Sequence, residues 1–238
     1  MIQVRKFSDL GTFQNFWLNA HYHFDFAGYR GAPRRQVGPL IVWNDDEVRA
    51  GMGFDPHPHS DMEIITYVRK GAITHKDDQG NEGRTGAGDV QVMSAGTGIW
   101  HAEHNREDED TELFQIWLLP RQRGLKPRWD AMKFPQADRA GQLVALASGE
   151  ADRKGALEIY QDATLYGTFL NAGQSVTHAL RPGRVAYLVV ARGAADVNGQ
   201  TLGHRDGAII EKDEAVKIAA QDDGEVLLFD LPEVPQFQ

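Results

Sequence analysis

The chain has 238 residues and a formal net charge of −9, with 41% hydrophobic and 25% charged residues. This length supports one large all-β domain or two smaller domains with real cores, and the ordinary composition excludes general disorder. The acidic balance argues against direct nucleic-acid binding, and the absence of cysteine excludes disulfides, thiolate nucleophiles and Cys-based metal sites.

The N-terminal stretch MIQVRKFSDL has no apolar core of the kind found in signal peptides. The sequence also has no run that approaches the length of about 18 apolar residues needed to span a membrane. We therefore expect a cytoplasmic protein without membrane contact. Any metal chemistry must use His, Asp, Glu and water as ligands.

The predicted elements are nearly all strands, because short β-branched or aromatic runs alternate with Gly, Asn and Asp. In chain order the runs are PLIVWND, MEIITYV, GAITHKD, DVQVMSA, ELFQIWLLP, QLVALAS, ALEIYQD, ATLYGTFL, VAYLVVARG, AADVNGQT, GAIIEKDE, AVKIAAQ and EVLLFDLP. The Asn198-Gly199 pair predicts a tight hairpin, since both central residues of such a turn need positive φ. This pattern is typical of a β-sandwich or barrel.

A weak internal repeat divides the chain. ITYVRKGAITHKDDQGN with the later GAGDVQVMSA has the same order of strands and turns as AYLVVARGAADVNGQ with LGHRDGAIIEKDE. Two tandem barrels explain both the repeat and the length, although all-β chains also share turn spacings by chance. We predict an N-terminal barrel over residues 1–125, a C-terminal barrel over 140–238 and a linker at about 121–141.

The segment FDPHPHSDMEIITYV carries the first candidate site. Residues two apart in a strand share a face, so His57 and His59 point the same way. The intervening prolines place this piece at a sheet edge or a strand start, where the imidazoles are accessible. A lone H-x-H pattern is a weak signal, and a Pro-stiffened turn that carries two histidines is the alternative.

A second co-facial pair, His101 and Glu103, lies in the segment GIWHAEHN. Three imidazole nitrogens and one carboxylate from two β segments of one barrel would form a divalent metal site with open coordination positions. We expect His104 on the opposite face of its strand. We expect His21 and His23 to pack within the aromatic HYHFDFAGY segment.

These residues carry a family resemblance. Residues 51–63 match the first cupin motif, G-x5-H-x-H-x3-E, with the following Gly71 one residue late, and residues 88–105 resemble the second motif with its histidine displaced by two. Together with F-x-P-H-P-H, H-K-D-x-x-G-N and M-S-A-G-T-G-I-x-H-x-E, they make the chain resemble the pirin branch of the cupins. The resemblance implies an all-β fold of two tandem cupin barrels, each a double-stranded β-helix of the jelly-roll type.

The resemblance also implies a ligand set. A generic cupin would use the glutamate of the first motif, here Glu63, as a ligand. Pirin-like proteins use the two histidines of that motif with a later histidine and glutamate, which map onto His57, His59, His101 and Glu103. Glu63 is then expected to support the ligands from behind or to have a structural role at the strand start. The expected cofactor is one divalent transition metal, Fe(II) first, with Mn, Ni, Co or Zn as alternatives.

The second half has no H-x-H or H-x-E pattern. Its corresponding segment, QSVTHALRPGRVAYLVV, keeps only His178 and has Arg184 and Ala186 near the expected ligand positions. We predict a degenerate C-terminal barrel without metal that braces the first.

Bacterial pirin-like proteins are similar to flavonol dioxygenases, which open the ring of quercetin with O2 and release carbon monoxide. The resemblance therefore implies a metal-dependent dioxygenase whose partners are a small aromatic, flavonol-like substrate and O2. Glu103 is the predicted catalytic residue, as a ligand or as the acceptor of the substrate proton. Candidate cavity walls are Phe54, Met62, Met93 and Trp100.

Two alternatives stay open at this point. The first is a metal- or redox-dependent regulatory or sensor protein that acts through a protein partner, as eukaryotic pirins are thought to do with transcription factors. The second is a different small-molecule cupin enzyme, since the fold alone does not determine the substrate.

Overall fold

Strands make up nearly all of the regular structure of residues 1–150 and 154–234, the part of the chain that the computed structural model describes. Two short 3-10 helices, Phe7–Asp9 and Gln136–Arg139, accompany them. The all-β prediction is confirmed. Within these residues, no helix is both long and apolar enough to cross a membrane.

The strands are β1 (Ile2–Arg5), β2 (Gly11–Gln14), β3 (Leu18–Tyr22), β4 (Leu40–Val48), β5 (Gly53–His59), β6 (Glu63–Lys70), β7 (Ala72–Asp77), β8 (Glu82–Gly86), β9 (Val90–Ser94), β10 (Ile99–His104), β11 (Thr111–Leu118), β12 (Arg128–Met132), β13 (Val144–Ser148), β14 (Leu157–Glu158), β15 (Thr164–Leu170), β16 (Ser175–Ala179), β17 (Arg184–Arg192), β18 (Ala195–Val197), β19 (Gln200–Leu202), β20 (Gly207–Ile210), β21 (Ala215–Ala220) and β22 (Gly224–Pro232).

The first barrel consists of a large and a small sheet. The large sheet has the strand order β12-β9-β6-β11-β4-β3-β2, and the small sheet has the order β5-β10-β7-β8. Both histidine segments lie in the small sheet, where β5 and β10 are antiparallel neighbours. This pairing brings residues about 45 positions apart in sequence onto one inner surface.

The second barrel is built the same way, from a large sheet β1-β20-β17-β22-β15-β13-β14 and a small sheet β16-β21-β18-β19. Its interior is filled by an apolar cluster that includes Leu188, Ala208, Ile210, Ile218 and Leu228. The first barrel has only small apolar clusters inside, and polar side chains occupy the centre.

Two edge strands depart from the predicted domain limits. Ile2–Arg5, predicted within the first barrel, pairs with Gly207–Ile210 of the second, and Arg128–Met132, predicted within the linker, pairs with Val90–Ser94 of the first. An edge strand pairs on one side only and tolerates polar residues on both faces, so neither segment shows a clear period of two. The exact domain limits stay a prediction, and residues 151–153 and 235–238 of the predicted C-terminal barrel lie outside the described residues.

The two large sheets pack face to face and share one hydrophobic core. This core joins Trp43, Tyr67 and Phe114 of the first barrel to Tyr187 and Phe229 of the second. Strand β6 is therefore buried on both faces, which explains its unbroken Ile-Ile-Thr-Tyr-Val run.

A buried polar cluster also joins the two barrels. Arg139 donates hydrogen bonds through Nη1 to the Tyr67 hydroxyl at 3.0 Å and to the Glu225 carboxylate at 3.2 Å. Its guanidinium carbon lies 4.6 Å from the ring centre of Phe169. Arg139 thus contacts both large sheets.

Candidate metal centre

Three histidines converge on the inner surface of the small sheet. His57 lies directly opposite His101 in the β5–β10 register, and one candidate ligand atom from each of His57, His59 and His101 lies within 4.8 Å of the other two. Their ring centres are 4.5 to 5.0 Å apart. The structure therefore brings together the three predicted imidazole ligands.

A β-bulge sets the direction of these side chains. The register between β5 and β10 shifts by one residue between His101 and Glu103, a feature that turns a strand locally and redirects its side chains. Nδ1 of His57 lies 2.8 Å from the backbone oxygen of Asp55 inside the bulge. When Nδ1–H donates this bond, Nε2 of His57 is the nitrogen left for a ligand.

The donor set fits a divalent transition metal. Nε2 of His59 and Nε2 of His101 are buried and have no hydrogen-bond partner among the described residues. Burial, followed by the neighbouring His101 and His57, lowers the pKa of His59 to about 4. Burial, followed by His57 and His75, lowers the pKa of His101 to about 3. These imidazoles are neutral at physiological pH, which is the form that binds metals.

A buried His-Asp pair stands behind His101. Nδ1 of His75 lies 3.4 Å from Nδ1 of His101, and Nε2 of His75 lies 2.9 Å from the Asp77 carboxylate. The His75 ring also stacks on Trp129, with the two planes 8° apart. Such an arrangement orients a ligating imidazole and leaves Nε2 of His101 toward the other histidines. This pair was not among the predicted site residues, although H-K-D has the same two-residue spacing as the other pairs.

Glu103 is held by amide and hydroxyl donors. Its Oε1 accepts hydrogen bonds from Nε2 of Gln91 at 2.5 Å and from the hydroxyl of Thr66 at 3.1 Å, and its Oε2 accepts one from Nε2 of Gln115 at 2.7 Å. Gln115 and Gln91 each lie opposite Thr66 in neighbouring strands of the large sheet. These residues were not predicted, since single polar residues in strands carry no ligand motif.

Glu103 lines the same cavity as the three histidines but is not part of their close set. An ionised carboxylate has about four lone-pair sites, and three are used by the donors of the large sheet. One site remains for a metal ion or a substrate proton.

The structure does not bring Glu63 to the histidines. Its Oε2 accepts hydrogen bonds from the Ser94 hydroxyl at 2.8 Å and from the backbone N–H of Tyr160 at 3.0 Å. Glu63 shares its strand face with Ile65, which packs in the core between the barrels, whereas Ile64 lines the cavity. The contacts fit the structural role at the strand start.

A cavity of about 400 Å³ adjoins the histidines. Its aromatic walls include Trp17, Phe26, Phe54 and Trp117. Trp117 makes an edge-to-face contact with His59, with ring centres 4.9 Å apart. The space suits a small aromatic molecule.

The other predicted wall residues lie elsewhere. Met62 and Met93 pack in a small apolar cluster of the first barrel, and Trp100 is 53% exposed outside the cavity. Of the four predicted wall residues, only Phe54 lines the cavity.

The remaining histidines of interest have other contacts. His23 is buried, with Nδ1 2.7 Å from the Tyr187 hydroxyl, and the His21 ring packs on Phe7 at 4.4 Å. His104 lies 3.4 Å from Asp55. In the second barrel, Nε2 of His178 and Nε of Arg184 both contact Asp230, at 2.7 and 2.6 Å.

Comparisons with known proteins cover both barrels. The Pirin family model matches residues 3–118, and the model of the quercetinase C-terminal cupin domain matches residues 145–231. A pirin-like protein of Caulobacter vibrioides is 52% identical over 230 residues, which are 97% of this chain and 99% of the relative. A quercetin 2,3-dioxygenase of Escherichia coli K12 is 40% identical over 235 residues, which are 98% of this chain and 100% of the relative.

Solved structures agree with these matches. The crystal structure of the bacterial pirin YhhW of Escherichia coli in complex with nickel(II) superposes with a TM-score of 0.92 at 38% identity, covering 98% of this chain and 100% of that chain. The predicted fold of two tandem cupin barrels is confirmed. Matches of this identity and coverage over both barrels place the chain in the pirin family.

Proposed function

We propose that the protein is a metal-dependent dioxygenase that cleaves the ring of a flavonol, such as quercetin, with O2. The observation that carries the proposal is the convergence of three imidazoles at the edge of an aromatic cavity of about 400 Å³. The name of the Escherichia coli relative supports this activity, and the nickel(II) complex of YhhW supports a metal at the site.

His57, His59 and His101 would hold one divalent transition metal, with Glu103 as the fourth ligand. Fe(II) is our first assignment, and Mn, Ni, Co and Zn are the alternatives. The bound ion would supply Lewis-acid and redox chemistry toward the flavonol and O2.

Glu103 has the catalytic role in this proposal. Because only one of its lone-pair sites is free of hydrogen bonds from Gln91, Thr66 and Gln115, it serves one further partner at a time. We assign this site to the ligand role in the resting protein. When substrate binds, the carboxylate accepts the proton of the flavonol hydroxyl and leaves the flavonol as its anion.

The aromatic walls position the substrate. The rings of Trp17 and Phe54 meet edge to face, with centres 5.1 Å apart, and those of Phe26 and Trp117 do the same at 5.5 Å. A flat polyphenol can pack between such rings, which also keep water from the reacting atoms.

The activity is tested by loading metal-free protein anaerobically with Fe(II), Mn(II), Ni(II), Co(II) or Zn(II) and then adding quercetin and O2. We expect metal-dependent loss of flavonol absorbance together with release of carbon monoxide. Absence of both with every one of these metals would refute the proposal.

The ligand assignment is tested by His101→Ala. The variant is expected to lose its metal, because it removes one of three converging imidazoles, while its circular dichroism stays that of the wild type. His104→Ala is the matched control, since His104 lies on the same strand outside the histidine set. A full metal equivalent in folded His101→Ala by elemental analysis would show that the assignment is wrong.

A metal- or redox-dependent role through a protein partner, and a cytoplasmic location, stay predictions.

A further inference from the structure

The cavity has a second polar region, on the large sheet. Asn44 and Asp46 share one face of β4 and both line the cavity, together with Tyr22 and Ala20 of β3. Tyr22 lies directly opposite Asn44, and Ala20 lies directly opposite Asp46. The small side chain at position 20 limits the bulk that faces the carboxyl group of Asp46.

Two oxygens of this region have no partner. Asn44 and Asp46 are 4% and 3% exposed, and Oδ1 of each has no hydrogen-bond partner among residues 1–150 and 154–234. Leaving such a buried group unsatisfied destabilises the folded protein. Unsatisfied buried polar groups are rare in native proteins, so two side by side in a cavity wall point to an external partner.

The adjacent Asp45 provides the contrast within the same strand. Asp45 faces the second barrel, and its two oxygens pair with Arg69 and Arg205. One carboxyl group of the strand is therefore saturated by two guanidinium groups, while its neighbour Asp46 faces the cavity and has no ion pair with a cation of the described residues. A purely structural carboxyl group would be expected to have the first environment.

The protonation of Asp46 and Tyr22 indicates which chemical groups of a ligand this region can bind. Burial, followed by Asp45 and Glu103, holds the pKa of Asp46 well above its usual range, against the opposing effect of Arg69. Burial and Asp46 raise the pKa of Tyr22 to about 12. A raised pKa favours the protonated, uncharged form of each group, in which both can donate and accept hydrogen bonds. Neutral hydroxyl groups suit it better than cations or anions.

We propose that Asn44 and Asp46 form a hydroxyl-binding pair that recognises phenolic hydroxyl groups of the ligand. Oδ1 of Asn44 accepts a hydrogen bond from a phenol, and the carboxyl group of Asp46 both donates and accepts. The inference rests on the proposed function in taking a flavonol-like ligand, and it adds a preference for polyhydroxylated rings. A site built to bind hydroxyl groups rejects analogues without them, because its buried polar groups are then left unpaired.

The test compares anaerobic binding of quercetin and 3-hydroxyflavone, which lacks the additional ring hydroxyl groups, to protein loaded with nickel(II). Wild-type protein is expected to bind quercetin more tightly. Asn44→Leu and Asp46→Leu should each weaken quercetin binding by about tenfold or more, while binding of 3-hydroxyflavone is unchanged. Asn19→Leu is the matched control, because Asn19 lies on β3 outside the cavity lining and contacts Glu47.

Asp46→Asn is a second variant that keeps the test decisive if the leucine variants do not fold. An amide keeps the shape and still both donates and accepts, so this variant is expected to keep the preference for quercetin. Wild-type protein without that preference would overturn the inference, as would folded leucine variants that keep it or a folded Asp46→Asn that loses it.

The binding assay uses no O2 and therefore separates the two proposals. A preference for quercetin without any cleavage would support the hydroxyl-binding pair and refute the dioxygenase assignment. Cleavage of both flavonols, together with equal affinity for them, would support the dioxygenase assignment and refute the hydroxyl-binding pair.

Discussion

Glu103 is held in position by hydrogen bonds from side chains that have no catalytic or ligand role in the proposal. Gln115 donates the only hydrogen bond to Oε2 that the described residues provide. We predict that Gln115→Leu lowers metal affinity by roughly 10- to 100-fold, the usual effect of removing a partner that orients a ligand. Chelator competition on folded protein measures this.

Thr85→Val is a graded control for that prediction. The Thr85 hydroxyl donates to the side-chain oxygen of Gln91 at 3.0 Å and so acts one step away from Glu103. Thr85→Val should therefore lower metal affinity less than Gln115→Leu does. Wild-type metal affinity in Gln115→Leu would indicate that Glu103 is not a ligand.

Glu63 should make stability depend on pH. Burial raises the pKa of Glu63 from 4.5 to about 7, against the lowering effect of the hydrogen bonds from Tyr160 and Ser94. The folded protein therefore holds this proton more tightly than the unfolded chain. Its contribution to stability is fully present below pH 4.5 and is lost as the pH rises through about 7.

We predict that the free energy of unfolding of wild-type protein falls, relative to Glu63→Gln, by on the order of 3 kcal/mol as the pH rises across that window. Urea denaturation at a series of pH values measures the difference. Glu158→Gln serves as the control, because Glu158 is an exposed carboxylate two residues before Tyr160, whose N–H contacts Glu63. Parallel curves for wild type and Glu63→Gln would contradict the prediction. Glu63→Gln should also keep its metal.

Parity along a strand predicted the shared face of the histidines but left two roles open for Glu63, for a physical reason. His57, His59 and His101 lie in a sheet with one solvent-facing side, so a spacing of two identifies the inner face. Strand β6 is buried on both faces, so its sequence does not show which face meets the cavity and which meets the second barrel.

At the scale of elements, the β5–β10 pairing determines the geometry of the site. A Cβ atom at Gly53 would lie 2.3 Å from the backbone oxygen of Glu103 and 2.6 Å from Cα of His104. Gly53→Ala must push these strands apart beside the bulge. We predict loss of most bound metal in protein that stays folded, as measured by elemental analysis and circular dichroism.

Gly28→Ala is the control for this change. A Cβ atom at Gly28 would meet nothing within 4 Å, and its φ is not in the left-handed region. Normal metal content in Gly53→Ala would mean that the pairing tolerates displacement and does not determine the ligand geometry.

Strand type and order were predictable from the sequence, and strand partners were less so. The runs MEIITYV and DVQVMSA became β6 and β9, because β-branched runs between turn residues suit strands in most contexts. The partners of the edge strands β1 and β12 depend on long-range contacts that no local pattern contains. The bulge and the polar residues around Glu103 escaped prediction for the same reason.

At the scale of the molecule, the shared core makes the two barrels one unit. Arg139 pairs with Glu225 between them, and both side chains are buried. Arg139→Leu leaves the Glu225 carboxyl group without its cation, and we predict a loss of stability of about 3–5 kcal/mol. Combining it with Glu225→Gln should restore part of that loss.

Tryptophan fluorescence tests whether the two barrels unfold as one unit. All five tryptophans precede residue 130, and none lies in a strand of the second barrel, so their fluorescence reports on the first barrel, whereas circular dichroism reports on both. We expect the two signals to change together during denaturation, in wild-type protein and in Arg139→Leu. Separate transitions would show that the barrels unfold independently.

The pairing of β1 with β20 also has a consequence for biosynthesis. Strand Ile2–Arg5 leaves the ribosome well before its partner Gly207–Ile210, which is made roughly 200 residues later. At usual translation speeds of about 5–20 residues per second, the strand waits on the order of 10 to 40 s without its partner. Closure of the second barrel is therefore a late event in biosynthesis, and Ile2–Arg5 is exposed to chaperones and proteases until it occurs.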